Sequence, residues 1–165
     1  MSLFSDPEQN IEAAGIQPGS IIADFGAGGG QYVCAAAYVL ASTGRVYGID
    51  VKKEALVAVA ELAQGKNLSN VDVIYGDIQK PSGSGLAANC VDLVIMSNIL
   101  FQLQDKRSAL TEAKRVLKPG GKVLGVHWKT ESQSDTVQLF EHNGFAKEKE
   151  FPAGSHHYGM IFKKL

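Results

Sequence analysis

The sequence is short of cysteine, of long apolar runs and of any excess of one charge, and each shortage removes a class of function. Its two cysteines, Cys34 and Cys90, lie inside apolar runs, where thiols read as core residues rather than as a disulfide or metal site. Neither C-x-x-C nor H-E-x-x-H occurs, and no metal is expected. Sixteen Lys and Arg stand against seventeen Asp and Glu, a net charge of −1. The basic stripe that neutralises phosphates is missing, which disfavours a nucleic-acid partner. No apolar run approaches the ~18 residues of a membrane span, and no charged segment followed by an apolar one opens the chain. A soluble, cytoplasmic protein is expected. What is plentiful is apolar content, 45% of 165 residues, which fills a core and excludes disorder. The length fits one domain over 1–165, with a helical N-terminal cover over 1–19 and a core over 20–165.

Apolar runs bounded by glycine alternate with helical stretches. Ser5-Asp6-Pro7-Glu8 opens a first helix with a capping side chain, a proline in the first turn and an acid near the positive dipole end. Strands are predicted over 21–25, 45–50, 71–75, 91–96 and 122–128, and helices from the glycine loop through Leu40, over 53–64, 106–117 and 135–142. The uninterrupted apolar run 91–96 is typical of a sheet centre covered on both faces. Residues 81–85, Pro-Ser-Gly-Ser-Gly, read as a surface loop. This alternation demands an α/β fold, a doubly wound and mostly parallel sheet with right-handed crossovers. The last strands, 146–151 and 157–162, are joined too briefly for a parallel crossover and must form an antiparallel hairpin.

In such a sheet the ligand sits outside the carboxyl ends of the strands, where strand order reverses. That rule gathers residues 24–30, Asp50, Gly76-Asp77, Ser97-Asn98 and His127-Trp128. The glycines of Asp24-x-Gly26-x-Gly28-x-Gly30 let the backbone turn sharply and approach a ligand. The dinucleotide fingerprint G-x-G-x-x-G would place its last glycine where Gln31 stands. An acid at Asp24 suits an ammonium or sulfonium better than a diphosphate.

At these residues the chain resembles the class I S-adenosylmethionine-dependent methyltransferases, which are Rossmann-like. Residues 24–30 resemble motif I, 47–50 the acidic end of strand two that grips the ribose, and 75–78 the loop whose aspartate meets the adenine. Residues 91–98 resemble motif IV, and 112–121 the stretch before strand five. The resemblance implies S-adenosylmethionine as cofactor, with S-adenosylhomocysteine as product. Its contacts would be Asp24, Gly26, Ala27, Gly28, Gly30, Asp50, Val51, Gly76, Asp77, Ile78, Ser97 and Asn98. The chain is most similar to the small-molecule, ubiquinone/menaquinone-biosynthesis type. Phe101-Gln102 stands where that group often has a histidine pair, a departure that bears on the acceptor rather than the cofactor. Structural alternatives accompany these assignments: Asp50 and Asp77 as turn or helix caps, Asp24 as a satisfied strand-end acid, and Asn98 as a loop anchor. Arg115 and Lys118 read as helix-end charges.

The acceptor side is read from topology. Strands four, five and six all end on the crevice side, so Asn98, Phe101, His127, Trp128, His156 and Tyr158 are expected to line one small-molecule pocket. His127, His156 and Tyr158 are candidates for a catalytic base, and His142 lies at the far end. Methyl transfer by in-line displacement needs chiefly alignment, and a base only for an acceptor protonated at neutral pH. The thin cover points to a small acceptor, or to a site completed by a second chain, as a homodimer or by a partner. The alternative from another class is a cofactor-binding regulatory or scaffolding module without turnover. A nucleotide-dependent oxidoreductase is opposed by Gln31.

Overall fold

Strand and helix alternate from the N-terminus onward, as the glycine punctuation requires. A computed structural model of the chain describes residues 5–165; residues 1–4 of the expected N-terminal cover lie outside them. The elements are α1 (Pro7–Ala13), β1 (Ile21–Phe25), α2 (Gln31–Leu40), β2 (Arg45–Asp50), α3 (Lys53–Gly65), β3 (Val71–Tyr75), β4 (Val91–Ser97), a 3₁₀ turn (Leu100–Gln102), α4 (Lys106–Val116), β5 (Leu117–Trp128), α5 (Gln133–His142), β6 (Phe145–Pro152) and β7 (His157–Lys164). Asp6 caps α1 by accepting from the Gln9 amide, with Pro7 in the first turn.

The strands form one sheet in the order β3-β2-β1-β4-β5-β7-β6. Neighbours from β3 to β5 run parallel, and β7 lies antiparallel between β5 and β6. This is the expected mostly parallel sheet ending in a hairpin. Strand order reverses where β1 lies between β2 and β4, which fixes the position of the crevice.

Because side chains alternate along a strand, each strand feeds two cores. Ile22, Val46, Leu93, Ile95, Leu124, Val126 and Ile161 pack on one face against α1, α2 and Val59 of α3. Ala23, Phe25, Val94, Met96, Val123, Tyr158, Met160 and Phe162 pack on the other against Leu110 and Ala113 of α4 and Phe140 of α5. These are called the α2 face and the α4 face below. Strand β4 is buried on both, as its apolar run predicts.

Three local expectations need correction. Strand β5 begins at Leu117 rather than at 122: Leu117 pairs with Val91 before a register shift lets Lys122 pair with Leu93. Lys118-Pro119-Gly120-Gly121 therefore lies within an irregular strand start, not at a helix end. The 81–85 stretch is not simply a surface loop, because Ser84 is fully buried and both its N–H and Oγ donate to Glu112 Oε1 (3.1 and 2.5 Å). Arg115 stands in the last turn of α4, the helix-end position expected of it, whereas Lys118 lies past that helix in β5; both also hold carboxylates. Arg115 pairs with Glu112 at 2.7 Å, and Lys118 with Asp92 at 2.9 Å.

Glu112 thus ties α4 to the loop before β4, and Arg115 adds a bond to Leu86 O. Burial alone pushes the Glu112 carboxyl pKa up, but Arg115 and Ser84 together outweigh it and hold the group below its ordinary value. A depressed folded pKa contributes stability that is present above the unfolded pKa and is lost as pH falls through the folded one. Glu112→Gln should lower stability at pH 7 by about 2 kcal/mol. It should also flatten the loss of stability on acidification below about pH 4.5. Urea unfolding followed across pH measures both, and an unchanged acid limb would show that the bonds to Glu112 carry no net energy.

Candidate functional site

The carboxyl end of β1 is sewn to that of β2. The N–H groups of Gly26 and Ala27 both donate to Ile49 O (2.9 and 3.0 Å), and the N–H of Gly28 donates to Asp50 Oδ2 (3.0 Å). The loop is left-handed at Gly28 (φ 53°), where an added Cβ would meet nothing of the protein nearer than 3.9 Å. The side missing at Gly28 therefore faces open space, and at Gly26 an added Cβ would strike the Ile99 side chain at 2.8 Å. One glycine keeps the crevice open and the other keeps the loop after β4 close.

Two chambers meet along this loop. One, of about 550 Å³, is bordered by Asp24, Gly26, Ala27, Gly28, Tyr32 and Asn98, with Ser5 and Pro7 above. The other, of about 420 Å³, is bordered by Asp50, Val51, Gly76, Asp77, Ile78 and Leu103. Gly26, Gly28, Ser97 and Asn98 border both. The crevice thus gathers the candidate cofactor residues from four strand ends. Gly30 stands apart as the N-cap of α2, packed on Val59.

The acids in it differ. Asp50 accepts from Gly28 N and, through Oδ1, from Lys52 N (2.9 Å), so it braces the loop and the entry to α3. Each carboxylate oxygen can still accept another bond. Asp77 gives Oδ1 to the Gln79 amide (2.9 Å). Asp24 is 2% exposed, and its Oδ1 is buried with no hydrogen-bond partner among the described residues. Burial first, and the charge of Asp50 second, push its pKa well above the ordinary carboxylate value. An unpartnered buried carboxyl is costly, and a cation brought into the first chamber would relieve that cost. The chamber fits a ligand with a positive charge.

On the acceptor side the residues converge on one sheet end but not on one face. His127 pairs with Tyr158 and Trp128 with His157 across β5 and β7. Alternation turns His127 and Tyr158 to the α4 face, and Trp128 and His157 to the α2 face. The single pocket expected from 98, 101, 127, 128, 156 and 158 therefore does not form. His127 is fully buried, edge-on to Phe101 (5.7 Å) and beside Tyr158 (5.4 Å). Its Nε2 lies over Gly125, whose missing Cβ makes room for the ring. Burial, then His157, push its pKa down to about 4. Glu131 Oε2 is 3.7 Å from Nδ1. Tyr158 Oη bonds Thr136 Oγ1 at 3.0 Å. Both candidate bases are thus directed into the core.

His156 is exposed on the hairpin turn. Its neighbour His157 is the histidine that reaches the crevice wall, with Nε2 3.1 Å from Asn98 Nδ2 and the Trp128 ring tilted against it, centroids 4.0 Å apart. The strand period counted back from the apolar Ile161 was the available signal. Gln31 and Tyr32 were also missed. Residues in the first turn of a helix that follows a glycine loop necessarily flank the loop's ligand side, and both border the first chamber. Asn10 of α1, 2% exposed, holds this wall by donating to Tyr32 Oη (2.8 Å) and Ala153 O (3.3 Å).

The family model described as a methyltransferase domain matches residues 16–159. The ubiquinone/menaquinone biosynthesis C-methyltransferase of Hydrogenovibrio crunogenus is 31% identical over 137 residues, 82% of this chain and 52% of that one. An arsenite methyltransferase of Aquipseudomonas alcaligenes is 32% identical over 117 residues, 68% of this chain and 34% of that one. The chain therefore spans about half the length of the first relative and a third of the second. The crystal structure of an S-adenosylmethionine-dependent methyltransferase from Aquifex aeolicus superposes with a TM-score of 0.88 at 25% identity, covering 98% of this chain and 90% of that one. The [4+2]-cyclase SpnF shares the fold at a TM-score of 0.83 and 15% identity, covering 96% and 80%, so this fold alone does not fix a reaction. Motif, topology and family match agree: the chain belongs to the methyltransferase-domain family of class I, S-adenosylmethionine-dependent methyltransferases.

Proposed function

We propose that this chain transfers a methyl group from S-adenosylmethionine to a small-molecule acceptor. The observation that carries this reading is the buried Asp24 Oδ1, which has no partner among the described residues, beside an open glycine edge. When bound, S-adenosylmethionine supplies a methyl group on a sulfonium and leaves as a neutral thioether. Asp24 would hold the positive end of the cofactor, the glycine loop would receive its backbone, and Asp50 and Asp77 would accept from its hydroxyl and amino donors. Val51 and Ile78 add apolar wall. The small-molecule class follows from the names of the relatives, which act in quinone biosynthesis or on arsenite, and from the limited room under α1.

Alignment is the work left to the protein. Asn98 and Ser97 form the wall that both chambers share, and a rigid wall there holds nucleophile and methyl group in line. His127 and Tyr158 turn into the core, which favours an acceptor that arrives already nucleophilic at neutral pH and needs no base in the crevice.

Two substitutions test the cofactor assignment. Asp50→Ala should weaken S-adenosylmethionine binding by about 1.5–3 kcal/mol, the worth of charge-assisted hydrogen bonds; calorimetry on folded protein giving unchanged affinity would refute the assignment. Gly28→Val should abolish binding, because the new side chain projects into the chamber; since φ 53° also strains a β-branched residue, circular dichroism accompanies the titration, and a natively folded variant that keeps its affinity would refute the assignment. Turnover is tested separately, with methyl-labelled S-adenosylmethionine and a small-molecule extract. Label is expected in the extract. Tight binding without any transfer would make the chain a binding module instead.

A further inference from the structure

Asn98 is held from three sides. Its backbone N–H donates to Val126 O (2.8 Å), its carbonyl accepts from Gln102 Nε2, and its side-chain Nδ2 meets Nε2 of His157, a residue of β7 59 positions away. The backbone at Asn98 is left-handed, φ 53°, a conformation that asparagine adopts more readily than most residues but not freely. The first two bonds involve no titratable group. The third ends on an imidazole that is 2% exposed and lies tilted against Trp128, with its Nδ1, like Asn98 Oδ1, buried and partnerless among the described residues.

We infer that His157 is a positioning residue of the methyl-transfer site: as a neutral imidazole carrying its proton on Nδ1, it accepts a hydrogen bond from Asn98 through Nε2 and so fixes the wall that both chambers share. This rests on the reading of the crevice as the cofactor site. With the Asn98 amide turned so that Nδ2 faces the ring, Nε2 is bare and the ring proton sits on Nδ1; the opposite amide orientation would have Nε2–H donate to Asn98 Oδ1, and the tautomer tells the two apart. A protonated ring has no lone pair, and acid therefore releases Asn98. The titratable and charged groups around the ring are His156 on its own turn, Lys129 after β5, His127 on β5, and Tyr158 of β7 and Glu150 of β6 at the same recess. Burial first, then the charges of His156 and Lys129, hold the His157 pKa below the ordinary imidazole range. The contact therefore outlasts acidification that charges an exposed histidine.

The test begins on the ¹⁵N-labelled full chain without ligand. Long-range proton–nitrogen spectra of the imidazoles, followed from about pH 8 to about pH 4, should show His157 in the Nδ1–H form, protonating below the ordinary imidazole range. The Asn98 side-chain NH₂ resonances should shift in step. An Nε2–H tautomer, or Asn98 resonances indifferent to the titration, would overturn the inference. The second arm measures S-adenosylhomocysteine binding. His157→Phe keeps a flat ring but no acceptor and should lose roughly tenfold in affinity at neutral pH. His157→Gln offers an amide oxygen in place of Nε2; it should recover to within about threefold and remove the acid-side fall. Wild-type affinity in His157→Phe would also overturn the inference. A wild-type chain that binds no S-adenosylhomocysteine would instead refute the cofactor reading, and the spectra would still decide the Asn98 contact.

Discussion

The buried carboxyl of Asp24, one oxygen of which has no donor among the described residues, is the constraint around which the crevice is arranged. Asp24 lies at the carboxyl end of β1, 2% exposed, where it borders the first chamber together with the glycine loop and Tyr32. Asp50 adds a second negative charge nearby. A carboxyl whose folded pKa is raised favours the folded state at low pH, and that contribution is lost as pH rises through the folded value. The apo protein therefore carries an electrostatic cost at neutral pH that a bound cation removes. The surrounding bonds keep this arrangement from relaxing: the loop amides are committed to Ile49 O and Asp50, and Tyr32 is held by Asn10.

The period-two geometry of strands then decides which polar residues share a compartment. At the ends of β5 and β7, adjacent residues were expected to work together and are separated by the sheet. His127 and Tyr158 enter the α4-side core with Phe101, while Trp128 and His157 stay with the crevice. Proximity in sequence and location at the right end of a strand do not suffice. Register against an apolar neighbour of known face does. For β7 that neighbour is Ile161, and for β5 it is Val126.

Much of the fold was legible because glycine and apolar periodicity are local signals. The alternation of strand and helix, the β4 core strand and the closing hairpin all follow from run lengths and connection lengths, whereas the order β3-β2-β1-β4-β5-β7-β6 came from the structure. The crevice was legible for the same reason: strand ends at Asp24, Asp50, Asp77 and Asn98 mark one edge of a parallel sheet. What escaped was set by long-range partners. Ser84 is buried only because Glu112 waits for it on α4. Leu117 joins β5 only because Val91 offers an edge. Tyr32 gains its place through Asn10, 22 residues earlier.

The central claim is that Asp24 ionises as the positive end of S-adenosylmethionine enters. Calorimetric titration in buffers of different ionisation enthalpy counts the protons exchanged on binding. Where the apo carboxyl still holds its proton, binding should release it; the release should fade as pH rises past the apo pKa of Asp24 and be absent from Asp24→Asn. Binding heats independent of buffer at every pH, or a proton release that survives in Asp24→Asn, would contradict it.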